Sequence, residues 1–145
     1  MNDFQERLQE LLIENELSRL QLSKIIKTHH ETINGYFNDN LYPKISIAVK
    51  IADCFGCSLD YLLGLTEKYK NNEKNDLSFI ATLKKLLKEK GMSSEKLMKD
   101  LNMSDANYYR WQRGSNIPSM TSVIAIAKYF DVSLDYLLYE YKNNS

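Results

Sequence analysis

Cysteine, proline and glycine are all scarce in this chain, at two, two and five among 145 residues. Two cysteines separated by two residues, Cys54 and Cys57, cannot staple a small secreted fold, and they agree with a reducing, cytoplasmic compartment. So few glycines and prolines exclude a fibrous or loop-dominated chain. With 43% apolar and 26% charged residues, the composition is that of a helix-rich globular protein. Long hydrophobic runs are missing too: Val123 to Ala127 is among the longest, against the ~18 residues that a membrane-spanning helix requires. The opening MNDFQERLQE has no basic patch followed by an apolar core, as a secretory signal would. We therefore expect no membrane association.

Net charge is absent as well, since 19 Lys and Arg balance 19 Asp and Glu. The balance is an average over unlike halves. Residues 1–75 hold nine Lys and Arg against eleven Asp and Glu, and residues 76–145 hold ten against eight, so the second half is the more cationic. Catalytic signatures are lacking: there is no glycine-rich phosphate loop, no HExxH, and no nucleophile with a base and an orienting partner. An enzyme is not expected, nor is a cofactor.

What the chain does have is an internal repeat, which fixes the architecture before any single element is assigned. Displaced by 75 positions without a gap, Phe4 falls on Phe79, Leu8 on Leu83, Ser18 on Ser93, Leu22 on Leu97 and Pro43 on Pro118, and Ser58-Leu-Asp-Tyr-Leu-Leu63 falls on the same six residues at 133–138. The shared positions are mostly apolar or capping residues, so the halves share a core. Between Lys27–Tyr42 and Asn102–Ile117 no position is identical. If the core sets the fold, that stretch is where function differs.

Within each copy, Phe4, Leu8, Leu11 and Leu12, like Phe79, Leu83, Leu86 and Leu87, follow the spacing of one buried helical stripe. Ser18, with Gln21 three residues on, predicts a capping box and the start of a second short helix, and Ser93 does so at the matching place. A third helix begins near His29, a poor cap, and at Ser104, a good one. It must end before Pro43 or Pro118, because proline cannot continue a helix and disfavours helical geometry in the residue before it. A fourth helix is expected over Ile45 to Phe55 and Met120 to Phe130, and a fifth after Ser58 and Ser133. The expectation is an all-α chain with a first domain over residues 1–65, a polar linker over 66–76, and a second domain over 77–145. Each domain holds five helices.

Two short helices joined by a tight turn can place the second in the major groove of DNA. Met92-Ser93-Ser94-Glu95-Lys96-Leu97, Met103-Ser104, Tyr108, Trp111, Gly114, Ile117-Pro118-Ser119 and Val132 to Leu138 resemble the lambda-repressor-like (Xre-type) helix-turn-helix domain over nearly all of the second copy. Leu17-Ser18, Leu22, Ile26, Thr32-Ile33, Tyr36, Pro43 and Ser58 to Leu63 resemble it in the first. The resemblance implies two tandem five-helix domains in a sequence-specific DNA-binding transcriptional regulator, commonly a repressor, with double-stranded DNA as partner. By the family pattern, His30, Glu31, Thr32 and Asn34 in the first copy, and Asp105, Ala106, Asn107 and Tyr109 after the cap Ser104 in the second, face base edges. Asn suits adenine, a carboxylate accepts from cytosine, and Thr or Ala meets a thymine methyl. Lys44, Arg110 and Arg113 are then phosphate contacts.

The departures from the family are specific. Arg19 and Ser94 stand where the family usually has Gln at the start of the second helix; Arg19 can still reach a phosphate, and Ser94 reaches less far. The first copy carries Gly35 inside its third helix, at about 1 kcal/mol relative to alanine, has Asp39 in place of a glycine stop, and places Phe37 where a polar residue is usual. Glu31 and Asp39 bring negative charge towards a polyanion, so the first copy is expected to bind DNA more weakly. The alternative is a protein-interaction module that binds another regulator through the first domain, supported by the neutral charge, acidic Glu31 and Asp105, and an exposed Phe37. A homodimer docked through the last helices, with Tyr139 and Tyr141 at its surface, is a further expectation. The Cys54-x-x-Cys57 pair with His29 and His30 suits tetrahedral zinc, but the repeat places Tyr129 and Val132 at the cysteine positions. The cysteines are accordingly read as packing residues, with no metal.

Overall fold

The computed structural model describes residues 3–143, which hold eleven helices and no strand. The chain divides between Asn72 and Glu73 into two compact units. The first holds α1 (Asp3–Glu14), α2 (Arg19–Ile25), α3 (His30–Asn38), α4 (Ile45–Phe55) and α5 (Leu59–Leu62). The second repeats these as α6 (Phe79–Lys90), α7 (Ser94–Asp100), α8 (Asp105–Arg113), α9 (Met120–Phe130) and α10 (Leu134–Leu137), and adds a sixth, α11 (Tyr139–Asn143). Among the described residues no helix is long and apolar enough to cross a membrane.

The repeated residues build each core. Phe4, Leu8, Leu11, Leu22, Ile33, Ile51, Leu59 and Leu62 are buried in the first unit, and Phe79, Leu83, Leu97, Val123, Ile126, Leu134 and Leu137 in the second. Helix starts follow from the caps. Ser18 Oγ accepts from the Gln21 backbone N–H at 3.0 Å while Gln21 Oε1 accepts from the Ser18 N–H at 2.8 Å, a reciprocal box. Ser93, Ser58 and Ser133 each accept from the N–H three residues on. The two third helices stop differently. Gly114, in the left-handed region at φ 75°, ends α8; α3 ends at Asp39 with φ −110°, and the left-handed turn falls one residue later, on Asn40 at φ 57°. Asparagine tolerates that region better than other side chains, so the first copy turns without a glycine.

The units are closed by different devices at one repeat position. In the first, the buried Arg7 side chain donates to the carbonyls of Tyr61 at 2.8 Å and Thr66 at 3.4 Å and to Glu67 Oε1 at 3.2 Å, with its guanidinium 3.7 Å over the Tyr61 ring. Tyr69 then donates its hydroxyl to the Phe55 carbonyl at 2.5 Å. In the second unit the matching residue is Thr82, also buried. Its Oγ1 accepts from Asn75 Nδ2 at 2.8 Å, and Asn75 Nδ2 also donates to the Tyr136 carbonyl at 3.0 Å. Residues 66–76 form no helix, and these contacts tie their first part to the first unit and their last part to the second.

The extra helix α11 belongs to the second unit alone. At its first position the repeat sets Tyr139 against Gly64, which has φ 75° and packs so tightly on α1 that a Cβ there would lie 2.5 Å from Asp3 Cβ. Glu140 Oε1 accepts from the Phe79 backbone N–H at 2.6 Å and so caps α6, and Lys142 Nζ lies 2.9 Å from the fully buried Asp135. The tail tyrosines Tyr139 and Tyr141 are half-buried there.

Candidate nucleic-acid interface

Each unit sets two short helices against one another: α2 with α3, and α7 with α8. The connecting turns place Lys27 and Asn102 in the left-handed region, at φ 55° and 57°, and each following helix begins three residues later. The inward face of α3 is held by Ile33 and Tyr36, and that of α8 by Tyr108 and Trp111, all buried. Phe4 meets Tyr36 edge-on at 5.4 Å, and Phe79 meets Trp111 edge-on at 5.8 Å. Burial pushes the Tyr36 hydroxyl up to about 12. These aromatics are anchors that fix which face each third helix turns outward.

On the outward face of α3, Glu31 is exposed, and His30, Thr32 and Asn34 are half-buried. Asn34 is already engaged: Arg19 Nη1, from the first residue of α2, donates to its Oδ1 at 3.3 Å, and the Arg19 guanidinium stacks 3.9 Å over the Phe37 ring. Phe37 is thus not the exposed aromatic expected from the sequence; it is half-buried beneath an arginine. Its place at a usually polar position is explained by the cation above it. Lys44 is exposed at the N-cap of α4. It lines, with Glu31, Thr32, Gly35, Asp39 and Leu41 among others, a groove of about 420 Å³ between α3 and α4.

The second unit brings together a different set. Ser104 caps α8, its Oγ accepting from the Ala106 N–H at 3.3 Å. Asp105, Tyr109, Arg110 and Arg113 are exposed, and Ala106 and Asn107 are half-buried. Arg110 and Arg113 lie in the last turn of α8, where a cation also complements the helix dipole. Ser94 does not bridge the helices as the family glutamine would: its Oγ bonds to Glu95 Oε2 at 3.3 Å. The bridge is made one residue later, where the Tyr109 hydroxyl donates to Glu95 Oε1 at 2.5 Å. That bond holds the Glu95 carboxyl below its usual range, and the same bond raises the Tyr109 hydroxyl. Nothing local in the sequence marks Glu95 for this role, because its partner lies on another helix.

A helix-turn-helix family model matches residues 8–62 and again residues 83–137. The chain belongs to the lambda-repressor-like (Xre-type) helix-turn-helix family. The matches run from within α1 to α5 and from within α6 to α10, so the two units are tandem all-α copies of one family domain. Members of this helix-turn-helix family are DNA-binding regulators. No curated protein and no solved structure gives a match. Cys54 and Cys57 are half-buried on and just after α4, and among the described residues no three His, Cys, Asp or Glu side chains gather into a metal-binding group.

Proposed function

We propose that this helix-turn-helix protein is a sequence-specific transcriptional regulator, acting as a repressor on duplex DNA in the cytoplasm, with α8 as its principal reading helix. The observation that carries this is the outward face of α8. Two exposed guanidiniums, Arg110 and Arg113, stand beside Asp105, Asn107 and Tyr109 on a helix whose other face is locked by Tyr108 and Trp111. Arginines that neutralise phosphates supply affinity and register; Asp105, Ala106, Asn107 and Tyr109 supply the base-edge chemistry. Ser94 and Ser104 sit at the helix starts that approach the backbone.

The first unit is the weaker reader. Its candidates are His30, Glu31, Thr32 and Asn34 for bases, with Arg19 and Lys44 for phosphates. Arg19 is committed to Phe37 and Asn34, and Glu31 and Asp39 flank the groove. The same groove, with Leu41 exposed beside it, favours a regulator protein as the second reading for this unit. Because the two third helices differ throughout, an operator engaged by both is not a palindrome.

Selection from a random duplex library at one fixed salt concentration tests the reading. The expected result is an enriched, asymmetric site whose strongest positions are lost with Asn107→Ala and Asp105→Ala. Absence of any enrichment from folded protein overturns DNA reading and leaves the protein-partner alternative.

A further inference from the structure

The two units share a core but not the outward face of their first helices. On α1 the solvent stripe is Glu6, Gln9, Glu10, Ile13 and Glu14, followed by Glu16; Ile13 is 69% exposed at its centre. At the matching places on α6 stand Ala81, Lys84, Lys85, Lys88 and Glu89, followed by Gly91, with Lys90 beside them. The one arginine of α1, Arg7, is turned inward. Equivalent faces of one fold therefore carry opposite charge.

The acidic face also works against its own helix. A helix C-terminus favours cations, and α6 follows this with Lys88 and Lys90 in its last turn. α1 has no basic residue in its last turn; Glu14 ends it and Glu16 follows two residues later. An exposed isoleucine ringed by carboxylates has the composition of a small apolar centre with a charged rim, and the lysine face of α6 is its electrostatic complement.

We infer that the α1 face of one copy docks on the α6 face of a second copy of this chain. The pairing joins two unlike faces, so a two-fold dimer makes it twice and a head-to-tail arrangement repeats it along a chain of copies. The inference is independent of which DNA sequence is read, and its test needs no DNA.

Sedimentation velocity of the full chain at about 50 mM and about 500 mM salt, spanning weak to nearly complete screening, reads it directly. Self-association is expected at the lower salt and is weakened at least about tenfold at the higher one. Two charge reversals sharpen the test, Glu6→Lys with Glu14→Lys and, separately, Lys84→Glu with Lys88→Glu; Glu10 is left in place because Arg7 Nε lies 3.6 Å from it. Each reversed protein alone should stay monomeric and folded by circular dichroism, since like faces then oppose each other, with a melting point shifted only modestly by the altered charge at the helix ends. Mixed one to one, they should associate to within about threefold of the original protein, because both pairings become complementary again. A monomeric original protein at low salt, or association unaffected by either reversal, overturns the inference. So does a Lys84→Glu, Lys88→Glu protein that loses DNA affinity with no change in mass, which would assign the lysines to phosphates.

Discussion

Tyr109 on α8 donates to Glu95 on α7 at 2.5 Å, at the repeat position where Asn34 on α3 accepts from Arg19 on α2 at 3.3 Å. The clamps share their place on the third helix and are offset by one residue on the second, where Glu95 falls on Leu20 and Arg19 on Ser94, and they carry charge of opposite sign. One clamp holds a guanidinium at the outward face, and the other holds a carboxylate. The two pairs therefore present different electrostatic surfaces at this point, cationic in the first unit and anionic in the second.

The clamps of the second unit make its stability depend on acid. Glu95 is held below its usual range first by Tyr109, and Asp100 first by Tyr129, whose hydroxyl donates to it at 2.7 Å. A carboxyl depressed in the folded state contributes stability that is complete above its unfolded value and is lost as pH falls through the folded one. We expect Tyr109→Phe and Tyr129→Phe each to flatten the loss of stability below about pH 4.5, as followed by urea unfolding at stepped pH. An unchanged acid limb in both variants would show that the clamps are not linked to folding.

Gly35 lies inside α3 with room around it: a Cβ would meet Asp39 Oδ2 at 3.8 Å and Leu41 Cδ1 at 4.0 Å, ordinary contacts. Gly35→Ala should therefore stabilise the first unit by about 0.5–1 kcal/mol through helix propensity. Chemical denaturation measures it, and a destabilised variant would mean that α3 requires the glycine for some other reason.

Gly64 behaves in the opposite way. Its positive φ disfavours any side chain by roughly 1–2 kcal/mol, and the 2.5 Å approach to Asp3 Cβ adds a direct overlap. Gly64→Ala should cost about 2–4 kcal/mol in the first unit, seen as a lower thermal midpoint for that unit. Tyr139 stands at the matching place of the second unit and begins α11.

In the second unit, Lys142 is the cation beside the fully buried Asp135. Lys142→Met leaves that carboxylate without its ion-pair partner and should cost about 2–3 kcal/mol, with part of the loss recovered by adding Asp135→Asn. Equal destabilisation in the single and double variants would show that the pair itself contributes little.

What could be read from the sequence was local. The apolar spacing that follows each proline places α4 over Ile45–Phe55 and α9 over Met120–Phe130, as the structure has them, because a buried stripe is a property of neighbouring residues. The repeat also sets Ile33 and Tyr36 on Tyr108 and Trp111, and all four are buried. What escaped depends on distant partners. Phe37 reads as exposed until Arg19 is placed above it, and Asn75 reads as polar loop until Thr82 and the Tyr136 carbonyl reach it. Glu16 and Lys27 adopt left-handed geometry without the glycine or asparagine that would mark it in a sequence. At the candidate interface, the divergence between Lys27–Tyr42 and Asn102–Ile117 pointed to α3 and α8, but not to Glu95, which acts from α7.

The central claim, that α8 reads DNA with Arg110 and Arg113 on phosphates, is tested most directly by the salt dependence of affinity for the selected site. Fluorescence anisotropy titrations of the full chain over a salt series, with and without Arg110→Ala and Arg113→Ala together, give the slope of log affinity against log salt. The double variant is expected to bind more weakly, with a slope smaller by about two, near 0.9 for each phosphate that is no longer neutralised. An unchanged affinity and an unchanged slope would contradict the assignment of these arginines to phosphates.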